Sequence, residues 1–348
     1  MSSFITHDMS LVAEIRRRTA AANRNNVSRT AAYLAFYREH PEVHWALLAH
    51  LVSRNSGWSM TDLCGEWLPR LIDEQDIRSF FWFLERNNWL IFHDAYAQLL
   101  LYAEMKRTGT DLTHLLPHLG VSRFMQLMWR EFLEKKDSVR LTRALIVNEQ
   151  QYIEQRVVRK PFIREQVLAN LTDQVQSVLS LNQVLFPYKA HPADRRLSIV
   201  GIATNRFPAV RQRISTGKTL YRLLYADDQR HEAIVRWAER IPHTGSRADY
   251  WPHLFSPKPH DEIAAPVYVP RIDGTALRPG CPKLYSPVLS AVWPDVEHAP
   301  ADGVDWYRDE KWLEALEDED DLPTMESEAY LRSLQLAEKG LERITAMK

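Results

Sequence analysis

Apolar residues recur at three- and four-residue spacing through most of the first 240 positions, which predicts helices. A basic amphipathic stretch covers 10–24, and Asn26-Val-Ser-Arg-Thr30 offers caps for a helix to residue 39. Proline disfavours helical geometry in the residue before it and suits a first helical position, so His40-Pro41 marks a boundary. A helix is then predicted over 41–55, stopped by Gly57, with a short one over 61–68. Further helices are predicted over 73–85, 88–107 up to Gly109, 112–119, 122–136, 139–158, 164–184 closed by Phe186-Pro187, 207–225 and 229–240. Leu197–Ala203 (LSIVGIA) is the one run that reads as a buried strand.

The texture changes after Pro242. Ten of the 19 prolines lie between Pro252 and Pro300, a density that excludes long helices and central strands. Tyr268, Val269, Tyr285, Val288, Leu289 and Trp293 are spaced along this stretch, which a free linker would not need, so it reads as a wrap over the body. A short helix is predicted over 305–316, a solvated acidic turn over 318–321 and an amphipathic helix over 326–347. The expected fold is mainly α: a multi-helix, bundle-like body (1–245), a Pro-rich irregular wrap (246–304) and an acidic helical tail (305–348).

Composition refines this picture at four points. With 45% hydrophobic and 26% charged residues in 348, the chain has material for a large core, and disorder is excluded. Two cysteines, Cys64 and Cys281, cannot make a disulfide framework, so a reducing compartment is expected. No signal-peptide core and no apolar run of spanning length is visible, so a soluble, cytoplasmic protein without a membrane partner is expected. The net charge of −1 hides an asymmetry: residues 251–348 hold 10 Lys and Arg against 19 Asp and Glu, the rest 34 against 26. A basic body could meet polyanions, and an acidic tail could cover it or bind a protein partner; mutual attraction of the two parts is the simpler account.

Candidate chemistry comes from polar residues inside helices that are apolar nearly all round. PEVHWALLAHLVSR (41–54) carries His44, His50 and Arg54, and the last two share a face. NNWLIFHDAYAQLLLYAEMKR (87–107) carries His93 and Asp94, with Gln98 and Tyr102 on the stripe of Asp94. LTRALIVNEQQYI (141–153) carries Asn148 and Glu149. Convergence on one centre would give His50 or His93 as general acid or base, Asp94 and Glu149 as orienting or proton-accepting carboxylates, and Arg54 as an anion or oxyanion clamp. The alternative is a satisfied buried network, with Arg54 paired to Glu149 or Asp94. HPEVH suggests zinc, but His40 as a cap would not project beside His44, so no metal site is expected.

PHTGSRADY (242–250) is the second candidate. Gly245 permits a tight turn, and His243, Thr244, Ser246 and Arg247 could hold a phosphate or carboxylate. The structural alternative is a Ser/Thr turn in which Arg247 and Asp249 lock the wrap to the body. Ser215-Thr-Gly-Lys-Thr219 resembles the end of a phosphate-binding loop, but Gln212 stands where a glycine is required. No motif implies a cofactor.

HPEVHWALLAHLVSRNSGWSMTDLCGEWLPRL (40–71), NNWLIFHDAYAQLLLY (87–102), LTRALIVNEQQYIEQRVV (141–158) and HTGSRADYW (243–251) resemble the YppC-like bacterial family of unknown function. The resemblance spans about 26–251 and stops at the wrap. It implies a bacterial protein and carries over no activity. The functional expectation therefore rests on the residues: an enzyme of acid–base, hydrolytic chemistry acting on an anionic small molecule. The rivals are a non-catalytic helical interaction module and, third, nucleic-acid or other polyanion binding by the basic body.

Overall fold

Side-chain caps set the frame of the body in the structure, a computed structural model. It describes residues 2–161 (2–6 as backbone), 183–191, 193–194, 196–203, 209–261, 265–317 and 322–347. Helix α1 (Ser2–Ala22) gives way to α2 (Asn26–Glu39) at Asn25, whose side chain accepts from the Ser28 amide while the Ser28 hydroxyl accepts from the Asn25 amide. Asp73, Ser122 and Asp137 cap α4 (Glu74–Thr108), α5 (Arg123–Lys135) and α6 (Ser138–Ile153) in the same way, each accepting a backbone N–H of the first turn. A π turn over Glu154–Val158 extends α6. Helix α3 (His44–Asp62), α7 (Val210–Tyr225), α8 (Asp228–Arg240) and the terminal α9 (Ser327–Ala346) complete the helices used below.

α3 is central. Trp45, Ala46, Leu47, Leu51, Trp58 and Met60 are buried almost completely, as expected of a helix apolar on most sides. It packs on α2, α4, α6 and α7 and on strand β1 (Gln183–Tyr188). β1, β2 (Ser198–Ala203) and β3 (Thr324–Glu326) form an antiparallel sheet in that order, with Leu185 opposite Gly201 and Gly201 opposite Met325. One hydrophobic core takes in residues of body, wrap and tail: Trp251, Tyr268 and Leu284 join it from the wrap, and Leu316, Tyr330, Leu334 and Leu341 from the tail. No helix among the described residues is long and apolar enough to cross a membrane.

The mainly helical fold, the LSIVGIA strand and the terminal helix agree with the sequence. Several boundaries differ. α3 starts at His44 rather than at Pro41, the predicted 61–68 helix is replaced by the end of α3, a turn and a 3₁₀ turn at Leu68–Arg70, and the predicted 112–119 helix is two 3₁₀ turns, Thr113–Leu115 and Pro117–Leu119. Gly57 does not stop α3, which continues to Asp62. The predicted 73–85 and 88–107 helices are one 35-residue helix, α4, because nothing between them breaks the ladder. The end of the predicted 164–184 helix belongs to β1, where Pro187 is tolerated on an edge strand; 162–182 lie outside the described residues. Only Lys311–Glu314 of the predicted 305–316 helix is helical. Ser215–Thr219 lies inside α7, where Gly217 admits close approach to α6: a Cβ there would stand 2.7 Å from an Ile146 methyl.

The opposed charges of body and tail meet each other. Arg86 donates to the Ala299 carbonyl, and Arg156 to the Val304 carbonyl and Asp302. Arg123 holds Asp305 and the Tyr307 carbonyl, Arg140 holds Glu317, and Arg143 and Lys218 donate to the Leu316 and Ala315 carbonyls.

Candidate functional site

His50, Arg54 and Trp58 follow one another at four-residue steps, so they form one stripe of α3. Across from this stripe lie Trp237 of α8 and the turn 241–250. The Arg54 guanidinium stacks 4.2 Å from the Trp237 ring and donates to the carbonyls of Ile241 (2.7 Å) and Pro242 (3.3 Å). Those bonds deliver His243 to the α2–α3 seam, where a glycine at 57 leaves it room.

Hydrogen bonds at Thr30, Ser53 and Asn26 then connect two imidazoles, the step across Thr30 being covalent, from its carbonyl to its hydroxyl. His50 Nδ1 is 2.8 Å from the Thr30 carbonyl, which can only accept, so Nδ1 carries the proton and Nε2 the lone pair. The Thr30 and Ser53 hydroxyls lie 2.6 Å apart, and Asn26 donates to the Ser53 carbonyl and hydroxyl. This fixes the Asn26 amide with its oxygen toward His243 Nε2, 2.7 Å away, so that nitrogen donates. His243 Nδ1 faces Asp249 at 3.6 Å. Both Asp249 oxygens accept from Thr244, one from its amide and one from its hydroxyl, each at 2.8 Å.

Burial governs the charges here. It pushes His50 down to about 3, with the Arg54 charge adding to the effect. It pushes His243 down to about 4, although Asp249 opposes the shift. Both rings are therefore neutral near pH 7. Arg54 remains the cation of the centre, 1% exposed. Its Nε, His50 Nε2, His243 Nδ1 and the indole nitrogens of Trp58 and Trp237 are buried without a hydrogen-bond partner.

The remaining candidates lie in other networks, and no hydrogen bond joins any two of His50, Arg54, His93, Asp94 and Glu149 among the described residues. Asp94 accepts from Gln98 (2.8 Å) and Asn148 (2.6 Å). Trp129 in turn donates to Gln98, and Ser122 and Trp306 to Asn148. Burial pushes the Asp94 carboxyl up to about 7, against the pull of Asn148, Arg156 and Gln98. Glu149, also pushed up to about 7 by burial, accepts from Trp45 and Gln150. His93 stacks on Trp89, its ring centroid 4.8 Å away, and burial with Arg86, Arg16 and Arg156 lowers its pKa. The two His of HPEVH are apart in role: His40 ends α2, while His44 starts α3 and bonds Tyr221. Among the described residues no three His, Cys, Asp or Glu side chains gather as metal ligands.

In the second candidate, Gly245 takes a left-handed φ of 87°, and its carbonyl accepts from Thr61. Ser246 donates to the Ser286 carbonyl and accepts from the Ala248 amide. Arg247, 1% exposed, reaches Asp62 (2.6 Å) and the Tyr330 hydroxyl (2.6 Å) and stacks 3.8 Å from the Trp58 ring. One side chain thus ties α3, the turn and α9 together. Of all nine candidates, His50, Arg54, His243 and Thr244 come together.

Asn26, Thr30 and Ser53, which complete that centre, carry no chemical signature in the sequence, and the sequence points to Asp249 only as a lock. A further buried cluster had no signal at all, because its members are far apart in the chain. Glu66 pairs with Arg271 (2.9 Å) and His260 (2.7 Å), while Glu338 of α9 accepts from the Ile272 amide (2.8 Å) and the Tyr268 hydroxyl.

No solved structure matches the chain. The uncharacterized protein YppC of Bacillus subtilis is 41% identical over 239 residues, which are 69% of this chain and 72% of that protein. The family described as protein of unknown function DUF2515 matches residues 21–334, so the similarity does not stop at 251 but includes the wrap and the start of α9. With 41% identity to YppC and a family match over most of its length, the chain belongs to the DUF2515 family.

Proposed function

We propose that this protein is a non-catalytic helical interaction module whose buried polar centres hold the fold. The observation that carries this reading is the burial of the groups that would do acid–base work: His50 is 2% exposed, Arg54 1% and Asp94 5%. Asp94 and Arg54 are held by fixed protein partners, and His50 is locked to a backbone carbonyl with its ring neutral. A general acid or base has to reach a substrate proton directly or through one water, and these groups present almost no surface. The separation of Asp94, Glu149 and His93 from the His50 centre also speaks against the hydrolytic reading. The polyanion reading loses part of its basis, because six cations of the body are spent on the 299–317 segment.

A surface suited to a partner exists on the first turns of α4. Asp73, Glu74, Gln75, Arg78, Ser79 and Trp82 line an open surface depression there. Trp82 is 44% exposed there, and tryptophan is enriched among residues that dominate binding energies. The test of sealing is modification of the folded protein by diethylpyrocarbonate, read by peptide mass spectrometry. Exposed His114 should react, and His50 and His243 should not until the protein unfolds. Rapid modification of His50 in the folded state would return the acid–base reading.

A further inference from the structure

The stripe His50–Arg54–Trp58 poses a question that the interaction reading leaves untouched. Arg54 is a buried guanidinium, and its two hydrogen bonds go to neutral carbonyls of Ile241 and Pro242. A buried cation without a bonded anion costs several kcal/mol. Asp249 is the carboxylate of this region: its charge favours the Arg54 cation, but both its oxygens are bonded to Thr244 and neither to Arg54. Arg247 offers no relief, because it is a second cation and Asp62 is its own partner.

The orphaned polar atoms around Arg54 are mostly donors. Arg54 Nε, Trp58 Nε1 and Trp237 Nε1 each carry a hydrogen, and each is buried with no partner. The Arg54 guanidinium carbon lies 4.2 Å from the centroid of the Trp237 ring, and Tyr250 packs beside both. Trp58 is one turn beyond Arg54 on the same stripe of α3. A single water accepts only two hydrogen bonds and carries no charge. An anion seated among these donors would accept from them and neutralise the guanidinium.

We propose that the seam between α3 and α8 binds one small monovalent inorganic anion, of the chloride class, at the edge of the Arg54–Trp237 stack, with Trp58 as a further donor. Size follows from the close packing of Trp58, Trp237 and Tyr250 around Arg54. Single charge follows from Asp249, which would repel a second negative charge so near. The neutral His50 and His243 rings add a lone pair each, Nε2 and Nδ1, and these favour a bridging water between ring and anion over direct contact.

The test compares full-length protein in sodium chloride and in sodium gluconate at equal ionic strength. Chloride should raise Tm by a few degrees, saturably, where gluconate does not. Bromide should replace chloride, quench tryptophan emission to a saturating extent, and give an anomalous diffraction peak within hydrogen-bond distance of Arg54 Nε. W237F and W58F keep an aromatic ring but lose the indole N–H, and each should weaken the anion about tenfold. R54M should abolish the response; should R54M not fold, the two Trp variants decide. Equal Tm in the two salts, a bromide peak elsewhere, or unchanged affinity in both Trp variants would overturn the proposal.

Discussion

Gly57 and His243 touch without room for one more carbon: a Cβ at position 57 would stand 2.6 Å from His243 Nε2 and 2.4 Å from Asn26 Oδ1. That is the place where the Asn26–His243 hydrogen bond closes the polar centre. Replacing a helical glycine by alanine ordinarily gains up to about 1 kcal/mol. Here the added methyl has to part Asn26 from His243, at a cost of about 1–3 kcal/mol for overpacking and more for the broken bond. G57A should therefore be less stable by about 2 kcal/mol in urea unfolding, and a stabilised G57A would show that α2, α3 and His243 do not pack in this way.

Asp94 should make the protein less stable as pH rises. Its pKa is about 7 folded, above its ordinary unfolded value. A raised carboxyl pKa means that stability is full below about pH 4 and is lost as pH rises through 7. The slope from this group approaches about 1.4 kcal/mol per pH unit. Glu149 and Asp62, pushed up to about 7 and about 6, act in the same direction. D94N costs stability at pH 5, where its amide lacks an acceptor, but should gain on the wild type by a few kcal/mol between pH 5 and 8. Parallel unfolding free energies for the two proteins across that range would contradict a protonated Asp94.

His50 acts on the acid side. With a folded pKa of about 3, below the ordinary value near 6.5, it contributes stability that is present above pH 6.5 and is lost as pH falls toward 3. H50Q, which cannot be protonated, should unfold at lower pH than its stability at pH 7 would imply. His243, held down to about 4, supplies the rest of the acid transition. NMR titration of the two rings checks the assignment directly: neither should titrate in the folded protein above pH 5.

The terminal helix should be indispensable. Tyr330, Leu334, Glu338 and Leu341 of α9 are completely buried, and Tyr330 completes the coordination of Arg247. Removing residues 327–348 leaves Arg247 without that hydroxyl and the Arg271 and Ile272 amides without their carboxylate. The truncated chain should lose cooperative unfolding by circular dichroism. Y330F, which deletes only the hydroxyl beside Arg247, should cost about 1–3 kcal/mol.

Periodicity and caps determined the helical body, since 3.6-residue spacing and Ser, Asp or Asn before it are local properties that hold whatever the chain packs against. The Pro-rich wrap, the LSIVGIA strand and the amphipathic terminal helix were legible for the same reason. Tertiary structure alone decided how the polar residues are grouped. Neighbours such as His93 and Asp94 point about 100° apart around a helix, so proximity in the chain sent them to different partners. His50 and His243, 193 positions apart, meet because Arg54 holds two carbonyls and Gly57 leaves the space. The meaning of Gly57 itself changed from a stop signal to a close contact, because only packing tells a glycine needed for conformation from one needed for volume.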